Sequence, residues 1–459
     1  MTRGTGGSGV VRGRIVTPDR VIDDGAVVIE DGRISAVLEG DAAAAAVAGT
    51  TRVLGGPGLL VLPGAVDAHV HAFSEPTETF DGATAAAAAG GVTTIIDMPY
   101  DAGNPINTAA AVAGKRERIQ AEARVDVALH GTVRPRDGVR DIDGMIDEGV
   151  SGFKVSLFET DPVRFPRIPS DELLEAFTVM AARGVRVGVH AEDGEIISAL
   201  VAAAKAAGRT APLDHNRTRP PVSETTSVAL GLEVAAAADV RFHIFHASLP
   251  DTVTLVTEKA AHGLDATLET CPHYLVLTED DMDRLGPFGK INPPLRTADH
   301  AAGMWAALAD GRIDMVTSDH APWPVAKKGF PEIFDNASGA PGVQTLVPIV
   351  VGAGYFEGRL SLLRTAAVLA TNPARAFGID HRKGAIAVGL DADFVVIDPA
   401  GTTEIDEMRM YSTATWSPYS GMSFPGLIHS TIVRGEEAYT DAAGLIAEPG
   451  DGVFIGRGR

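Results

Sequence analysis

The chain has 459 residues, a 45% hydrophobic share and a formal net charge of −21 at pH 7. That apolar content suffices for a large buried core, and the length fits two or three domains or one barrel with an appendage. The acidic balance argues against nucleic acid as a partner, and a lone cysteine, Cys271, excludes a disulfide within the chain and suits a reducing cytoplasm.

Residues 1–9 are rich in Gly, Thr and Ser with no apolar stretch, so they read as no signal peptide. Residues 10–16 alternate as a strand, and residues 25–37 read as a hairpin turning at Asp31-Gly32. Residues 41–50 form an Ala-rich loop or short helix. Segment 1–62 is therefore expected to be part of a small β-domain. From Pro63 to Gly378 the texture changes. Apolar runs such as 92–98 and 185–190 alternate with helical stretches, clearest at 83–89, 171–182, 227–238 and 300–309. Ser170 or Asp171 is the expected cap of one of them. Strand-helix alternation over 63–378 predicts an α/β fold, a (β/α)8 TIM-type barrel. Short strands return at 383–398 and 430–435. Segments 1–62 and 379–459 are expected to combine into one small β-sandwich beside the barrel. The Gly-rich tail, 448–459, is expected to gain order only against a neighbour. No uninterrupted apolar run reaches membrane-spanning length, so no membrane partner is expected.

The stretch Asp67-Ala68-His69-Val70-His71 organises the rest. In a strand, residues two apart share a face, so His69 and His71 aim at one spot with Asp67 beneath. Alone, such a pair is equally a strand whose histidines hydrogen-bond. Further polar residues fall at the ends of later apolar runs, where barrel active sites lie: Lys154, His190, His246 and Asp319. A buried ammonium beside metal cations is costly, whereas a neutral lysine amine reacts with carbon dioxide to give a carbamate that bridges two metals. His69, His71 and Asp319 would then hold one divalent ion, and His190 and His246 the second. Two dications offset by the carbamate, Asp319 and a hydroxide leave about one positive charge.

These residues and their surroundings resemble the amidohydrolase superfamily, and within it the cyclic amidohydrolases: allantoinase, dihydropyrimidinase/hydantoinase and dihydroorotase. The resemblance runs from the N-terminal β-segment to Pro418 or beyond. It rests on Pro63-Gly64…Asp67-Ala68-His69-Val70-His71, Gly90-Gly91-Val92-Thr93-Thr94, Gly152-Phe153-Lys154, Glu269-Thr270-Cys271-Pro272-His273-Tyr274-Leu275, Asn292-Pro293-Pro294-Leu295-Arg296 and Ser318-Asp319-His320-Ala321-Pro322. It implies two divalent metal ions, zinc in this family, bridged by a hydroxide and an N6-carboxylysine at Lys154. It implies hydrolysis of a C–N bond in a small cyclic amide or ureide, with Asp319 as proton carrier. Groups at Asn292, Ser248 and Cys271 are candidates to hold the substrate amide, Cys271 as a small buried residue and not a nucleophile. Homo-oligomers, often tetramers, belong to the same implication. A ligand-lacking relative acting as an oligomeric interaction protein is the competing class, and the complete ligand set speaks against it.

The ring is read from loops. Dihydroorotase-like chains carry an Arg soon after His-x-His, an Asn after Met-Pro and a His where Trp323 stands; here Ala72-Phe73-Ser74-Glu75-Pro76, Tyr100 and Trp323 replace them. Hydantoinase-like chains carry a Tyr a few residues after the lysine, and 155–159 holds none. Phe165-Pro166-Arg167-Ile168 and Ser417-Pro418-Tyr419 are similar to allantoinase, which makes ring opening of allantoin to allantoate, a step of purine catabolism, the first expectation. Departures at 73–77, 100–104 and 321–323 leave another cyclic amide or imide as the alternative. Phe73, Tyr100, Phe158 and Trp323 read either as an apolar wall for a larger ring or as ordinary loop packing.

Overall fold

Asp31 and Gly32 both have positive φ, 49° and 77°, the twist a two-residue turn needs to join right-twisted strands. They link β2 (Val21–Glu30) to β3 (Arg33–Glu39), after β1 (Gly9–Val16) and before β4 (Val53–Pro63). The computed structural model describes residues 7–458. The reading of residues 1–9 as no signal peptide therefore falls outside the described residues over 1–6.

The barrel strands follow in order: β5 (Ala65–Val70), β6 (Val92–Asp97), β7 (Asp126–Gly131), β8 (Gly152–Ser156), β9 (Val187–His190), β10 (Phe242–Ile244), β11 (Ala266–Thr270) and β12 (Met315–Val316). Neighbours pair in parallel in sequence order, and apart from the first two residues of β11 every strand residue is buried. Helices cover the outside, so these strands face no water on either side and read as near-continuous apolar runs. The ring closes beyond β12, where Val70 bridges His320 in parallel and His71 N donates to His320 O at 2.9 Å.

The remaining strands, β13 (Phe394–Glu404), β14 (Ser423–Val433), β15 (Glu436–Thr440) and β16 (Gly444–Leu445), come back to the N-terminal ones. The two terminal segments build one eight-stranded sheet in the order β16-β15-β14-β13-β4-β1-β2-β3. Val11, Ile15, Val27, Val61, Phe394, Val396 and Ile432 form its own buried core. Only Gly64 separates β4 of this sheet from β5 of the barrel. A Cβ there would lie 2.3 Å from Thr93 Oγ1, so the crossing between the two units needs glycine.

Two expectations are corrected. The helix Ser170–Ala182 is capped by Pro169, not by Ser170 or Asp171, and no side chain closes its N-terminus. The tail, through residue 458, needs no neighbour to order it. Gly450 N and Gly452 N donate to Ala123 O at 2.9 and 2.8 Å, Ile455 N donates to Val127 O at 2.8 Å, and Ile455 is fully buried. The tail's glycines serve this docking: a Cβ on Gly452 would lie 2.1 Å from Val125 O. The helices Pro221–Ala238 and Ala298–Ala309 start earlier than hydropathy suggests, the first on a proline and the second on Thr297, whose hydroxyl accepts from His300 N.

Candidate metal centre

All the candidate ligands meet at one end of the barrel. His69 lies on β5 and His71 just past it, Lys154 lies at the centre of β8, and His190 ends β9. His246 and Asp319 lie just beyond β10 and β12, and both have positive φ, 42° and 49°. Non-glycine residues pay for that conformation unless their surroundings fix it, and such strain gathers at functional sites. Asp67 ties the first strand to the last, its Oδ1 accepting from His69 N at 3.3 Å and Ser318 N at 3.0 Å. Burial pushes its carboxyl up to about 6.

The inward atoms converge. His69 Nε2 lies 2.7 Å from Lys154 Nζ and 3.0 Å from Asp319 Oδ1, and His71 Nε2 lies 3.5 Å from the same oxygen. One ligand atom from each of His69, His71 and Asp319 falls within 4.8 Å of the others. Across from them His190 Nδ1 faces His246 Nε2 at 2.8 Å, and the rings of His69 and His246 are 5.4 Å apart. Lys154 is the residue that the two groups share.

What the outer nitrogens do decides whether a cation suits this arrangement. Glu269 Oε1 lies 2.5 Å from His69 Nδ1, and Glu192 Oε2 lies 2.9 Å from His190 Nε2. Both carboxylates are fully buried and held ionised: burial raises them, but Arg219 and His190 outweigh it at Glu192, and His69 and His243 at Glu269. A carboxylate accepts only, so each ring carries a proton outward. At His69, burial and the Lys154 charge lower the imidazole, but the Asp319 and Glu269 carboxylates outweigh them and raise it above its usual value, so its inward Nε2 favours a second proton that a bound cation would displace. Nε2 of His69 and Nδ1 of His190, with the Asp319 carboxylate, face a common space. His246 Nδ1 is buried without a partner. Such a donor set draws positive charge, from protons or from a bound cation, so the residues fit metal ions, with carboxylates orienting the imidazoles as metal sites require. Burial lowers the Lys154 ammonium to about 8, against the pull of Asp319 and Glu269, which brings a neutral amine within reach of ordinary pH. Burial also drives His71 to about 3 and His246 well below its usual value, so both stay neutral and able to ligate.

A cavity of about 80 Å³ opens above these residues. His71, Lys154, His190, His246, Asp319, Asn292 and Trp323 line it, with Ser74, Tyr100, Thr160, Arg164 and Phe165. Two of the four expected substrate-holding residues are thus present. Asn292 Oδ1 is buried without a partner. Trp323 is fixed by its Nε1 donating to Ser338 O at 2.7 Å. The other two do not reach the cavity. The hydroxyl and N–H of Ser248 are both donated to Glu224, and its Oγ accepts from Arg296. Cys271 is fully buried, 3.9 Å from Thr317 Oγ1, and burial pushes its thiol well up, which fits a packing residue. Of the proposed aromatic wall, Tyr100 and Trp323 face the cavity. Phe73 turns away, its ring under the Lys115 ammonium and edge-to-face with Phe80, and Phe158 lies against Arg219. Phe165, stacked on Tyr100 at 3.6 Å, completes the wall instead.

Two other features compete and fail on chemistry. Asp126, Asp391 and Asp393 cluster in the core, but Lys383 Nζ sits among them at 2.5, 2.9 and 2.6 Å and fills the place of a cation. A larger cavity, about 780 Å³, lies between the terminal sheet and the tail. Arg434, Arg382 and Arg124 on its wall are already paired with Asp126, Asp391 and Asp81. No histidine among the described residues lines it, so the smaller cavity, where imidazoles and Asp319 converge, is the metal-site candidate. Sequence reasoning missed the roles of Glu269, Glu192 and Arg219. Glu192 carried a signal, since it stands two residues after His190; Glu269 carried only its place at a strand end.

With that geometry in view, comparison with known proteins is decisive. A profile of the amidohydrolase family matches residues 60–438. The chain belongs to the amidohydrolase family. It is 37% identical to an allantoinase of Solibacter usitatus over 94% of this chain and 92% of that one. It is 38% identical to a dihydroorotase of Halobacterium salinarum, over 91% and 95%. Among solved structures, the L-hydantoinase (dihydropyrimidinase) from Arthrobacter aurescens superposes with a TM-score of 0.92 at 33% identity, covering 98% of this chain and 99% of that one. That superposition takes in both the barrel and the terminal sheet of this chain. No helix among the described residues is long and apolar enough to cross a membrane.

Proposed function

We propose that this amidohydrolase opens a cyclic ureide or amide ring by hydrolysis, allantoin to allantoate being the first reading. The observation that carries it is the convergence of His69 Nε2, His190 Nδ1 and Asp319 on one space, each imidazole oriented by a buried carboxylate on its far side. Two divalent ions, zinc in our reading, held by His69, His71 and Asp319 and by His190 and His246 with carboxylated Lys154 between, would supply an activated water and polarise the scissile carbonyl. The chain's own residues do the rest. Asp319, against His69 and His71, takes the proton of the attacking water and returns it to the leaving ring nitrogen. Asn292, its Oδ1 unpartnered, accepts from a ring N–H. Tyr100, Phe165 and Trp323 give the flat ring a flat wall and keep bulk water from its faces. In this reading 63–378 is the catalytic segment, 1–62 and 379–459 form the accessory β-domain, and the protein works as a homo-oligomer.

Allantoinases are prominent among the similar curated proteins, at 31–37% identity over most of the chain. A hydantoin ring is the second reading, favoured by the match to the L-hydantoinase structure. The test is ring opening of allantoin, hydantoin, dihydrouracil and dihydroorotate side by side by zinc-loaded protein. A kcat/KM of about 10⁴ M⁻¹s⁻¹ or more for allantoin alone supports the first reading. Preference for hydantoin or dihydrouracil supports the second. No turnover of any cyclic amide with two metals bound refutes both.

A further inference from the structure

Arg164 is the unexplained charge at this site. It stands in the loop between β8 and the helix Ser170–Ala182 and lines the same cavity as His71, Lys154 and Asp319. Its guanidinium lies 5.6 Å from the Trp323 ring centroid, and one end donates to Ser74 O at 3.0 Å. The other edge has nothing. Nε is buried with no hydrogen-bond partner, and among the described residues Arg164 makes no salt bridge. The Nε/Nη2 edge is the one arginine uses to grip a carboxylate side-on; in this chain Arg12 holds Asp24 that way, at 3.0 and 2.9 Å.

Carboxylates are not lacking nearby. Asp161, Asp101 and Glu75 all act on Arg164 through their charge, yet each is committed elsewhere. Asp161 accepts from Val163 N and Arg164 N at 2.9 and 2.8 Å. Asp101 is bound by Lys115 Nζ at 2.6 and 2.5 Å. Glu75 is bound by Lys327 Nζ at 2.8 Å. A half-buried guanidinium with its forked edge left open, anchored at its other end and backed by an indole, is arranged to receive a ligand anion.

We propose that Arg164 is a specificity-determining residue, and that the preferred substrate is a cyclic amide or ureide whose ring substituent bears a carboxylate. This rests on the ring-opening reading above but not on its choice of allantoin, whose ureido substituent carries no charge. The substituent would lie over Trp323 with its two oxygens on Nε and Nη2, while the ring stands over the metal-binding residues.

The experiment compares two hydantoins of nearly equal shape, one with a carboxymethyl and one with a carbamoylmethyl substituent on carbon 5. Wild-type protein is expected to favour the acid at least tenfold in kcat/KM, because a site built around a buried donor pair discriminates strongly on that contact. In Arg164→Gln the acid-to-amide ratio is expected to fall to about one, and Arg164→Lys is expected to restore part of it. The ratio is internal to each protein, so a partly misfolded variant does not imitate the result. Equal rates on acid and amide in the wild type, or a ratio unmoved by Arg164→Gln, overturn the proposal while leaving ring opening intact. If neither ring opens, ring opening has failed, and calorimetric binding of the same two compounds tests Arg164 alone. Tighter binding of the acid, lost in Arg164→Gln, then supports it, and equal binding refutes it.

Discussion

Glu269→Gln removes one charge from the centre of the site and, with its oxygen kept toward His69, the acceptor that Oε2 offers to His243 Nε2. The carboxylate accepts from His69 at 2.5 Å, from His243 Nε2 at 3.3 Å and from His246 N at 3.3 Å, with no exposure to solvent. A glutamine amide keeps the volume and still offers one oxygen to His69, so the first proton-fixing contact survives as a neutral hydrogen bond. Hydrogen bonds to charged groups contribute about 1.5–3 kcal/mol and neutral ones about 0.5–1.5, so the change costs about 1–1.5 kcal/mol at His69. That is roughly tenfold in metal affinity, since 1.4 kcal/mol is a factor of ten, and it falls at the lower end of what altering an outer partner of a metal ligand costs. The assay is zinc competition against a chromogenic chelator. The weakening is expected at the His69, His71, Asp319 position, with the His190, His246 position near its wild-type value because Glu192 is untouched. Unchanged affinity at both positions would refute the orienting role. Equal weakening at both, with a lowered melting temperature, would mean that the residue supports the fold and not the ligand.

Lys154→Ala should lose bound metal together with activity, with partial rescue by short carboxylic acids; full metal content without rescue would rule out a carbamate. Asp319→Asn should abolish turnover while leaving the circular dichroism spectrum unchanged, and near-normal rates would remove it as proton carrier. Lys383→Met strands Asp126, Asp391 and Asp393 without their buried counter-charge and should cost about 3–5 kcal/mol of stability in urea denaturation; a loss under 1 kcal/mol would show that Arg434 and Arg382 suffice. At Asp126, burial pushes the carboxyl up, but Arg434 and Lys383 outweigh it and hold it below its usual value. Its folded pKa is thus below the unfolded one, about 3.9. The stability difference between wild type and Asp126→Asn should be full above pH 4 and shrink as pH falls further; a difference that grows on acidification would reverse the assignment.

The metal-binding half of the site was legible because its information is local. A ligand at the end of an apolar run reads as a barrel position, and His69 and His71 share a strand face by spacing alone. Lys154 was legible through its misfit, an ammonium in a strand that has no water on either side. Glu269 was not, since nearly two hundred residues separate it from His69 and only closure of the barrel sets the two side by side. Ser248 reads as a polar residue beside a ligand, yet its hydroxyl belongs to Glu224, on the helix Pro221–Ala238. The tail failed for the opposite reason. Its glycines look like slack chain, but two of them allow its backbone to lie against Ala123, a contact no pattern in the tail encodes.

Ring choice depends on side chains that the barrel does not fix. Tyr100 does not replace the tyrosine missing after Lys154: its hydroxyl donates to Lys154 O at 3.1 Å and faces backbone, not a developing oxyanion. Phe165 holds that ring in place by stacking on it. Trp323 is locked twice, by its own Nε1 on Ser338 O and by Trp416 Nε1 on its carbonyl at 2.7 Å. Three rigid aromatic surfaces exclude ring shapes but distinguish poorly between rings of one shape, since an apolar wall separates close analogues only by about 1–3 kcal/mol. Discrimination beyond that must come from polar atoms left without partners. Beyond the metal-ligand candidate His246, whose Nδ1 is also unpartnered, the cavity lining supplies two: Asn292 Oδ1, which accepts, and the open edge of Arg164, which donates with a positive charge. The first suits any cyclic amide, whereas the second suits only a substrate that brings an anion with it.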